Sequence, residues 1–206
     1  MSVTLVTTEL NDALTEVLNM GMGRASGMLN ELTQAHVTLH VPEVRVITPS
    51  EIDENMDELG WDNIAGVKMT FDGLFYGTAA IVFPAPSAAA LADVLTEEES
   101  DDSDLDSVRV SVLTEVGNII INGVMGTIGN FLHEPLQYAI PSFAEGDIQV
   151  VLGADQINQD AAILMARARF TVEAYMILGD ILLVLEGQSL GTLLDSITES
   201  WESDVV

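Results

Sequence analysis

The sequence predicts an α+β protein built from two similar units, each with the order helix, strand, hairpin, helix. Three observations predict this class: the chain repeats itself, each repeat opens with a long apolar helical stripe, and each continues with β-branched segments separated by turn residues. Helices combined with antiparallel strands define the α+β class. Two copies in one chain favour a pseudo-twofold tandem repeat whose halves share one sheet or core.

The repeat can be followed along most of the chain. The stretch Thr-Glu-Val-x-Asn occupies residues 15–19 and returns 99 residues later at 114–118, and a proline follows each copy, Pro42 and Pro141. Further along the offset becomes 102, as where Gly77 corresponds to Gly179, so about three residues are inserted in the second half. We therefore predict a single domain, 1–206, made of repeat 1 (about 8–96), an acidic linker (97–106) and repeat 2 (about 107–206).

Each element of a repeat has its own signal. An apolar stripe at alternating steps of four and three predicts a helix over about 10–34, and its counterpart lies at 106–132. The β-branched stretch "HVTLHV" with "RVI" predicts a strand, and "PSEIDENMDEL" a short helix. A hairpin follows in "VKMTFDGLFYGTAAIVF", and "SAAALADVL" predicts a helix with Ser87 as its N-cap. In repeat 2 the hairpin is "ILMARARFTVEAYMILGDILLVL" and the closing helix is "SLGTLLDSI".

Composition excludes several classes of function. The net charge is −27 and Lys68 is the only lysine, so nucleic acid and anionic membranes are poor partners. The acids are spread over the whole chain, which favours adaptation to a salty cytosol over the alternative, a docking face for a basic partner. The absence of cysteine excludes a disulfide framework and a thiolate metal site. No leader and no run of 18 apolar residues is found, so we expect a cytoplasmic protein without membrane insertion.

A short polar row lies opposite the apolar stripe of each long helix. With the 3.6-residue period, Asp12, Glu16 and Asn19 fall on the face opposite Leu14. The second helix repeats the row with another set of residues: Ser111, Glu115 and Asn118. A solvated face is the ordinary interpretation, but asparagine is a mediocre helix former. The two halves also differ at core positions yet agree at these exposed ones, so we predict that all four Glu and Asn side chains are exposed and functional.

The chemistry of the row is limited by what it contains. A serine nucleophile is disfavoured because Ser111 has no histidine near it in sequence and Asp12 takes its place in the other half. One glutamate per face offers too few oxygens to hold a metal. A carboxamide both donates and accepts hydrogen bonds, so it can hold a water in line with a phosphorus atom. Such a reaction requires another protein to bring the phosphoryl group, its Mg²⁺ and a lysine.

The spacing [Asp/Ser]-x3-Glu-x2-Asn-x22-Pro occurs twice, and this pattern resembles the signature of the CheC/CheX/FliY family of chemotaxis phosphatases. Its residues are Asp12, Glu16, Asn19 and Pro42 in repeat 1, and Ser111, Glu115, Asn118 and Pro141 in repeat 2. The segment "FDGLFYGTAAIVFPAPSAAALADVL" is also similar to the family's hairpin and helix. The resemblance covers nearly the whole chain.

The resemblance implies a hydrolase that acts on the aspartyl-phosphate of the response regulator CheY. Glu16 and Glu115 would pair with the regulator's lysine, and Asn19 and Asn118 would enter its active site and orient the attacking water. The regulator would contribute the Mg²⁺, so this chain binds no cofactor itself. The receptor deamidase CheD is the second implied partner, which we place near Ala144–Gly153 with Asp147 as a contact.

Two other functions remain open on the sequence alone. One is a non-catalytic adaptor that binds CheY or CheD through the same Glu and Asn rows. The other is a flagellar-switch component of the FliY/FliM kind, against which we count the lack of a C-terminal extension.

Overall fold

The computed structural model describes residues 7–33, 36–52, 63–96, 105–153, 157–158, 160–172 and 175–204. Residues 97–104 of the predicted acidic linker lie outside the described residues. Its last two residues, 105–106, belong to the helix that follows. Most of the predicted short acidic helix also lies outside them, and its described beginning is a 3₁₀ turn.

Helices and strands appear in the following order. The elements are α1 (Thr8–Thr33), β1 (Val37–Ile47), the 3₁₀ turn Pro49–Glu51, β2 (Ile64–Asp72), β3 (Gly77–Pro84), α2 (Ala85–Thr96), α3 (Leu105–Phe131), β4 (Gln137–Tyr138), β5 (Ser142–Gly146), α4 (Ile148–Leu152), β6 (Ala162–Val172), β7 (Tyr175–Leu185) and α5 (Ser189–Asp204). This mixture of helices with antiparallel strands confirms the predicted α+β class.

The strands of the described residues all belong to one antiparallel sheet. Its order is β1-β6-β7-β3-β2-β4, and β5 pairs with β2 beside β4. Both predicted hairpins are present, β2 with β3 and β6 with β7. Strand β1 is therefore an edge strand, and its ladder with β6 is interrupted between His40 and Glu43, around Pro42.

The long helices α1 and α3 pack against each other on one face of the sheet, which we call the front face. Their apolar stripes meet sheet residues such as Ile81 and Phe83 in one continuous core. The two helix backbones approach closely, because a Cβ on Gly21 would lie 2.6 Å from the Cα of Val124. This close contact fixes how the two polar rows are presented.

The opposite, rear face of the sheet carries a smaller apolar cluster. Successive residues of a strand point to opposite faces, so Ala65 belongs to the front core and Ile64 to the rear cluster. The short helix α4 covers part of the rear face with Ile148 and Val151, both buried. Farther along the rear face the carboxylate of Asp180 is fully buried and paired with Arg167, with 3.0 Å between Oδ1 and Nε.

Helix α3 is apolar enough to raise the question of a membrane span. By length and composition, Ser107–Phe131 passes the test for a helix that could cross a bilayer. The same helix supplies Val116, Ile120 and Met125 to the front core, and its other side carries Glu115 and Asn118. We therefore assign its apolar character to the core of the domain.

Two details differ from the sequence prediction. Ser87 was predicted to cap α2, but the helix begins at Ala85, directly after the last residue of β3, so Ser87 lies within its first turn. The backbone N–H of Ala85 is bonded to the oxygen of Asn63. In the second half, two short strands, β4 and β5, occupy the place of the long β1. The short helix α4 lies within Ala144–Gly153, where the family resemblance placed a short helix.

Candidate functional site

The polar row of α1 is only partly free. Asp12 and Glu16 are exposed, whereas Asn19 is half-buried between the helix and the edge strand β1. The expectation that Asn19 is exposed is therefore wrong, because its side chain contacts the backbone of β1 rather than open solvent.

The carboxamide of Asn19 is saturated with hydrogen bonds. Its Nδ2 donates to the backbone oxygens of Thr15 (3.0 Å) and Val41 (2.8 Å). Its Oδ1 accepts the backbone N–H of Val41 at 2.8 Å and lies 3.0 Å from Nδ1 of His40. An amide oxygen can only accept, so His40 must carry its proton on Nδ1. Both N–H groups and both lone pairs of Asn19 are thus used within the chain.

Two further side chains of α1 bind the same free edge of β1. The hydroxyl of Ser26 donates to the oxygen of Val37 and accepts the N–H of Leu39. The side-chain oxygen of Asn30 accepts the N–H of Val37. Asn19, Ser26 and Asn30 are spaced by seven and four residues, so they share one side of the helix. This row supplies part of the hydrogen bonding that a neighbouring strand would otherwise give to β1.

The polar row of α3 is different. Ser111 and Glu115 are exposed, whereas Asn118 is half-buried, so the expectation that Asn118 is exposed is met only in part. Nδ2 of Asn122, one turn further on, donates to both the backbone oxygen (2.9 Å) and the Oδ1 (2.7 Å) of Asn118. Within the described part of the chain, Nδ2 of Asn118 has no hydrogen-bond partner. Its two N–H groups and one lone pair of its Oδ1 remain open.

The contrast between the halves follows from the elements beside each helix. Ile140 stands 99 residues after Val41, yet it is 90% exposed and lies between β4 and β5 rather than in a strand against the helix. Gly23 stands 99 residues before Asn122, so the first helix has no side chain to hold Asn19 from that side. The equal sequence motifs therefore produce one occupied and one available carboxamide.

The remaining predicted residues have structural positions of their own. Pro42 lies at the interruption of the β1 ladder, and Pro141 directly precedes β5. Asp147 caps α4, since its carboxylate accepts the backbone N–H of Val150 at 2.7 Å. Among the described residues there is no group of three or more His, Asp or Glu side chains that could hold a metal ion.

Sequence reasoning did not identify Asn122 or the row formed by Ser26 and Asn30. Asn122 lies four residues after Asn118, a spacing that places two side chains together on a helix, so the signal was present. The use of Ser26 and Asn30 depends on where β1 lies, which the helix sequence does not specify.

Comparisons with known proteins agree with this architecture. No protein-family model matches the chain. Among solved structures, FliY of Thermotoga maritima superposes with a TM-score of 0.76 at 15% identity, covering 96% of this chain and 100% of that one. The FliM middle domain from H. pylori gives 0.62 at 13% identity, with 93% and 99% covered.

A chemotaxis protein CheX from Desulfovibrio desulfuricans gives a TM-score of 0.54 at 15% identity, covering 83% of this chain and 99% of that one. The chain has the CheC/CheX/FliY fold. The resemblance inferred from the two Glu/Asn motifs is thereby confirmed at the level of the fold. Because proteins with the CheC/CheX/FliY fold share so few residues with this chain, its activity has to be inferred from the polar rows themselves.

Proposed function

We propose that the protein is a chemotaxis phosphatase that hydrolyses the aspartyl-phosphate of a CheY-type response regulator through Glu115 and Asn118 of α3. The observation that carries this proposal is the open carboxamide of Asn118, one turn from an exposed glutamate. In this proposal the regulator brings the phosphoryl group, its Mg²⁺ and a lysine.

In this proposal the two residues have separate roles. Glu115 is exposed, so its carboxylate can pair with the regulator's lysine at little desolvation cost. The open lone pair of Asn118 Oδ1 accepts a hydrogen bond from the attacking water and so orients it, and its Nδ2 can donate to a phosphoryl oxygen. The water oxygen then bonds to phosphorus while the bond to the aspartate oxygen breaks. The products are inorganic phosphate and the free aspartate carboxylate.

The first half has a different role in this proposal. Asn19 already uses its whole carboxamide on β1 and on its own helix, so it stabilises the fold instead of orienting water. Glu16 is exposed and can still contribute to docking. The expectation that both Asn19 and Asn118 orient water is revised accordingly, and we assign catalysis to the second half.

We also infer that the halves are related by an approximate two-fold axis, as the repeat suggested. The strand pairing supports this: Ala80 pairs with Leu182, 102 residues further on, which is the sequence offset of this region. Val44 pairs with Ala166, and Gly146 pairs with Ile64. Gly146 stands 102 residues after Val44 and Ala166 stands 102 residues after Ile64, so the two pairs are equivalent under the same offset. On this basis, repeat 1 and repeat 2 are versions of one unit.

The location and the second partner also remain proposals. The solved structures with this fold include chemotaxis and flagellar proteins, which supports a cytoplasmic location. For a CheD-type partner we retain α4, where Val150 is 57% exposed beside Asp147. Because Asp147 caps the helix, its replacement would change both the contact and the helix, so Val150→Asp is the cleaner test of docking there.

Phosphate release from a phosphorylated CheY-type regulator tests the proposed activity. Asn118→Ala is expected to reduce the rate on the order of 10²-fold, since a misplaced water loses its alignment with phosphorus. Asn19→Ala should leave the rate within a few-fold of wild type when both are assayed well below their melting temperatures. Asn130→Ala, an exposed asparagine of the same helix, is the matched control. Equal rates for Asn118→Ala and Asn130→Ala would refute the assignment.

The non-catalytic adaptor is the second candidate, favoured by the similarity to the FliM middle domain. In that case the exposed Glu16 and Glu115 would serve as docking contacts only. The same experiment separates the two functions, because an adaptor would bind the regulator without accelerating phosphate release. Loss of binding in Glu115→Gln together with no measurable catalysis by the wild type would favour the adaptor.

A further inference from the structure

A groove of about 270 Å³ lies on the rear face of the sheet, away from the α1 and α3 rows. Its floor comes from β2, β3 and β7, one wall from the chain between β4 and β5, and the other from the end of α4. The residues used below all line it: Lys68, Thr70, Thr78, Ser142, Gly153 and Glu186. A wider, open pocket continues from it past Tyr76 and Tyr138 and shares Thr70, Thr78, Ala139 and Glu186 with the groove.

The only lysine of the chain lies in this groove. Lys68 is half-buried, and within the described residues its Nζ has neither a hydrogen bond nor a carboxylate within ion-pair distance. In a chain of net charge −27, an ammonium with no carboxylate partner among the described residues is unexpected. A ligand carboxylate that pairs with this ammonium would gain a charge-assisted hydrogen bond.

An unpaired carboxylate lies in the same groove. Glu186 is half-buried and, again within the described residues, its side chain has no hydrogen-bond or ion-pair partner. Lys68 and Glu186 line one small cavity but are not in ion-pair contact with each other. Thr70, Thr78 and Ser142 also line the groove. The Ser142 hydroxyl donates to the backbone oxygen of Lys68 at 3.5 Å, and a hydroxyl can also accept a hydrogen bond from a ligand.

We infer that this groove binds a small zwitterion, such as an α-amino acid, whose carboxylate pairs with Lys68 and whose ammonium group pairs with Glu186. A small apolar substituent would lie against Leu152, Ile157 and Val184, which also line the cavity. The site lies on the opposite side of the sheet from Asn118, so it is independent of the proposed phosphatase chemistry.

A structural role for Lys68 is the competing explanation. A Cβ added to Gly153 would lie 3.1 Å from Nζ of Lys68, so the ammonium is near the carboxyl end of α4, where cations are favourable. In that role Lys68 would contribute to the stability of the fold but would not bind a ligand. The two explanations therefore differ in whether the side chain responds to a solute at constant ionic strength.

Because Lys68 is the only lysine, its side chain can be observed alone. Reductive methylation with ¹³C-formaldehyde labels Lys68 and the N-terminal amine and keeps the positive charge of both. The full-length protein is titrated with L-alanine, with propionate and with ethylammonium, at one fixed high salt concentration. We expect a saturable shift of the Lys68 methyl signal with alanine, binding about tenfold or more weaker with propionate, and an unchanged N-terminal signal.

Variants then test each half of the site. Glu186→Gln should weaken alanine binding about tenfold or more and leave propionate binding nearly unchanged. Lys68→Gln, followed by calorimetry because it lacks the labelled group, should abolish binding of both. Tyr76→Phe, in the adjoining pocket, is the control and should bind as the wild type does. Equal affinity for alanine and propionate, or no saturable shift with either, would overturn the inference.

Discussion

The clearest quantitative consequence of the structure is that the same substitution, Asn→Ala, has opposite effects in the two halves. Asn19 makes two tertiary hydrogen bonds to the backbone of Val41, both 2.8 Å long. A typical hydrogen bond contributes about 0.5–1.5 kcal/mol net, so their loss costs about 1–3 kcal/mol. Asn118 makes no tertiary bond within the described residues, and its contacts to Asn122 stay within one helix.

Both substitutions also gain up to about 0.7 kcal/mol of helix propensity. Because both sites are in the interior of a long helix, this gain cancels when the two variants are compared with each other. Asn19→Ala is therefore expected to unfold about 1–3 kcal/mol more easily than Asn118→Ala, which is about 2–12 °C in melting temperature for a chain of this size.

Melting curves followed by circular dichroism, with both variants and the wild type in one buffer at one high salt concentration, measure this difference. Activity should follow the reverse order at temperatures where both are folded: Asn118→Ala is expected to be slower on the order of 10²-fold, and Asn19→Ala to stay within a few-fold of wild type. Equal melting temperatures would show that Asn19 does not hold the edge of β1, and the assignment of the two halves to structure and catalysis would then lose its basis.

Three further predictions concern stability. Burial raises the pKa of Asp180, and the hydrogen bond and charge of Arg167 offset only part of the rise. Because the pKa of Asp180 is higher in the folded state than in the unfolded state, its protonation stabilises the fold at low pH, and this contribution is lost as pH rises. The melting temperature of Asp180→Asn minus that of the wild type should therefore increase between about pH 3 and pH 7, and a constant difference would contradict this. Gly21→Ala should lower the free energy of unfolding by about 1–3 kcal/mol, since its Cβ would meet the backbone of Val124. Gly23→Ala, with no described atom within 4 Å of its Cβ, should raise it by up to about 1 kcal/mol. Denaturant titrations check both, and an equal loss of stability for the two variants would contradict the packing argument. With a net charge of −27, the fold should loosen in dilute buffer and recover at molar salt as the Debye length falls from ~30 Å to ~3 Å; a salt series of circular dichroism melts that stays flat would favour a basic docking partner instead.

The sequence specified the long helices and the hairpins well, for reasons that are local. The apolar stripe of α1 follows the helical period of 3.6 residues, and the β-branched stretches on each side of Asp72 follow the strand period of 2. Both patterns lie within a short segment of sequence, so they can be recognised without knowledge of the tertiary contacts. The boundary of α2 was missed because the choice between Ala85 and Ser87 depends on where β3 stops. At that end the backbone N–H of Ala85 donates to the oxygen of Asn63, the residue directly before β2.

The sequence predicted which residues form the candidate site, but not the hydrogen bonds that those residues make. The helical period correctly placed Glu16 and Glu115 toward solvent, and it gave Asn19 and Asn118 the same angle. What distinguishes the two asparagines is the strand beside each helix, and that is a tertiary property. A continuous β1 offers Val41 to Asn19, whereas the chain around Ile140 turns away and leaves Asn118 to its neighbour on α3.

The contacts of α1 with β1 also bear on how copies of this protein avoid one another. A free strand edge is a template on which a second molecule can add its own strand. In dilute buffer the acidic surface keeps copies apart by repulsion, but at molar salt that repulsion acts over only ~3 Å. Under those conditions the protection of the β1 edge falls to Asn19, Ser26 and Asn30. Removing these side chains should then promote self-association most strongly in the salt concentrations at which the charges no longer help.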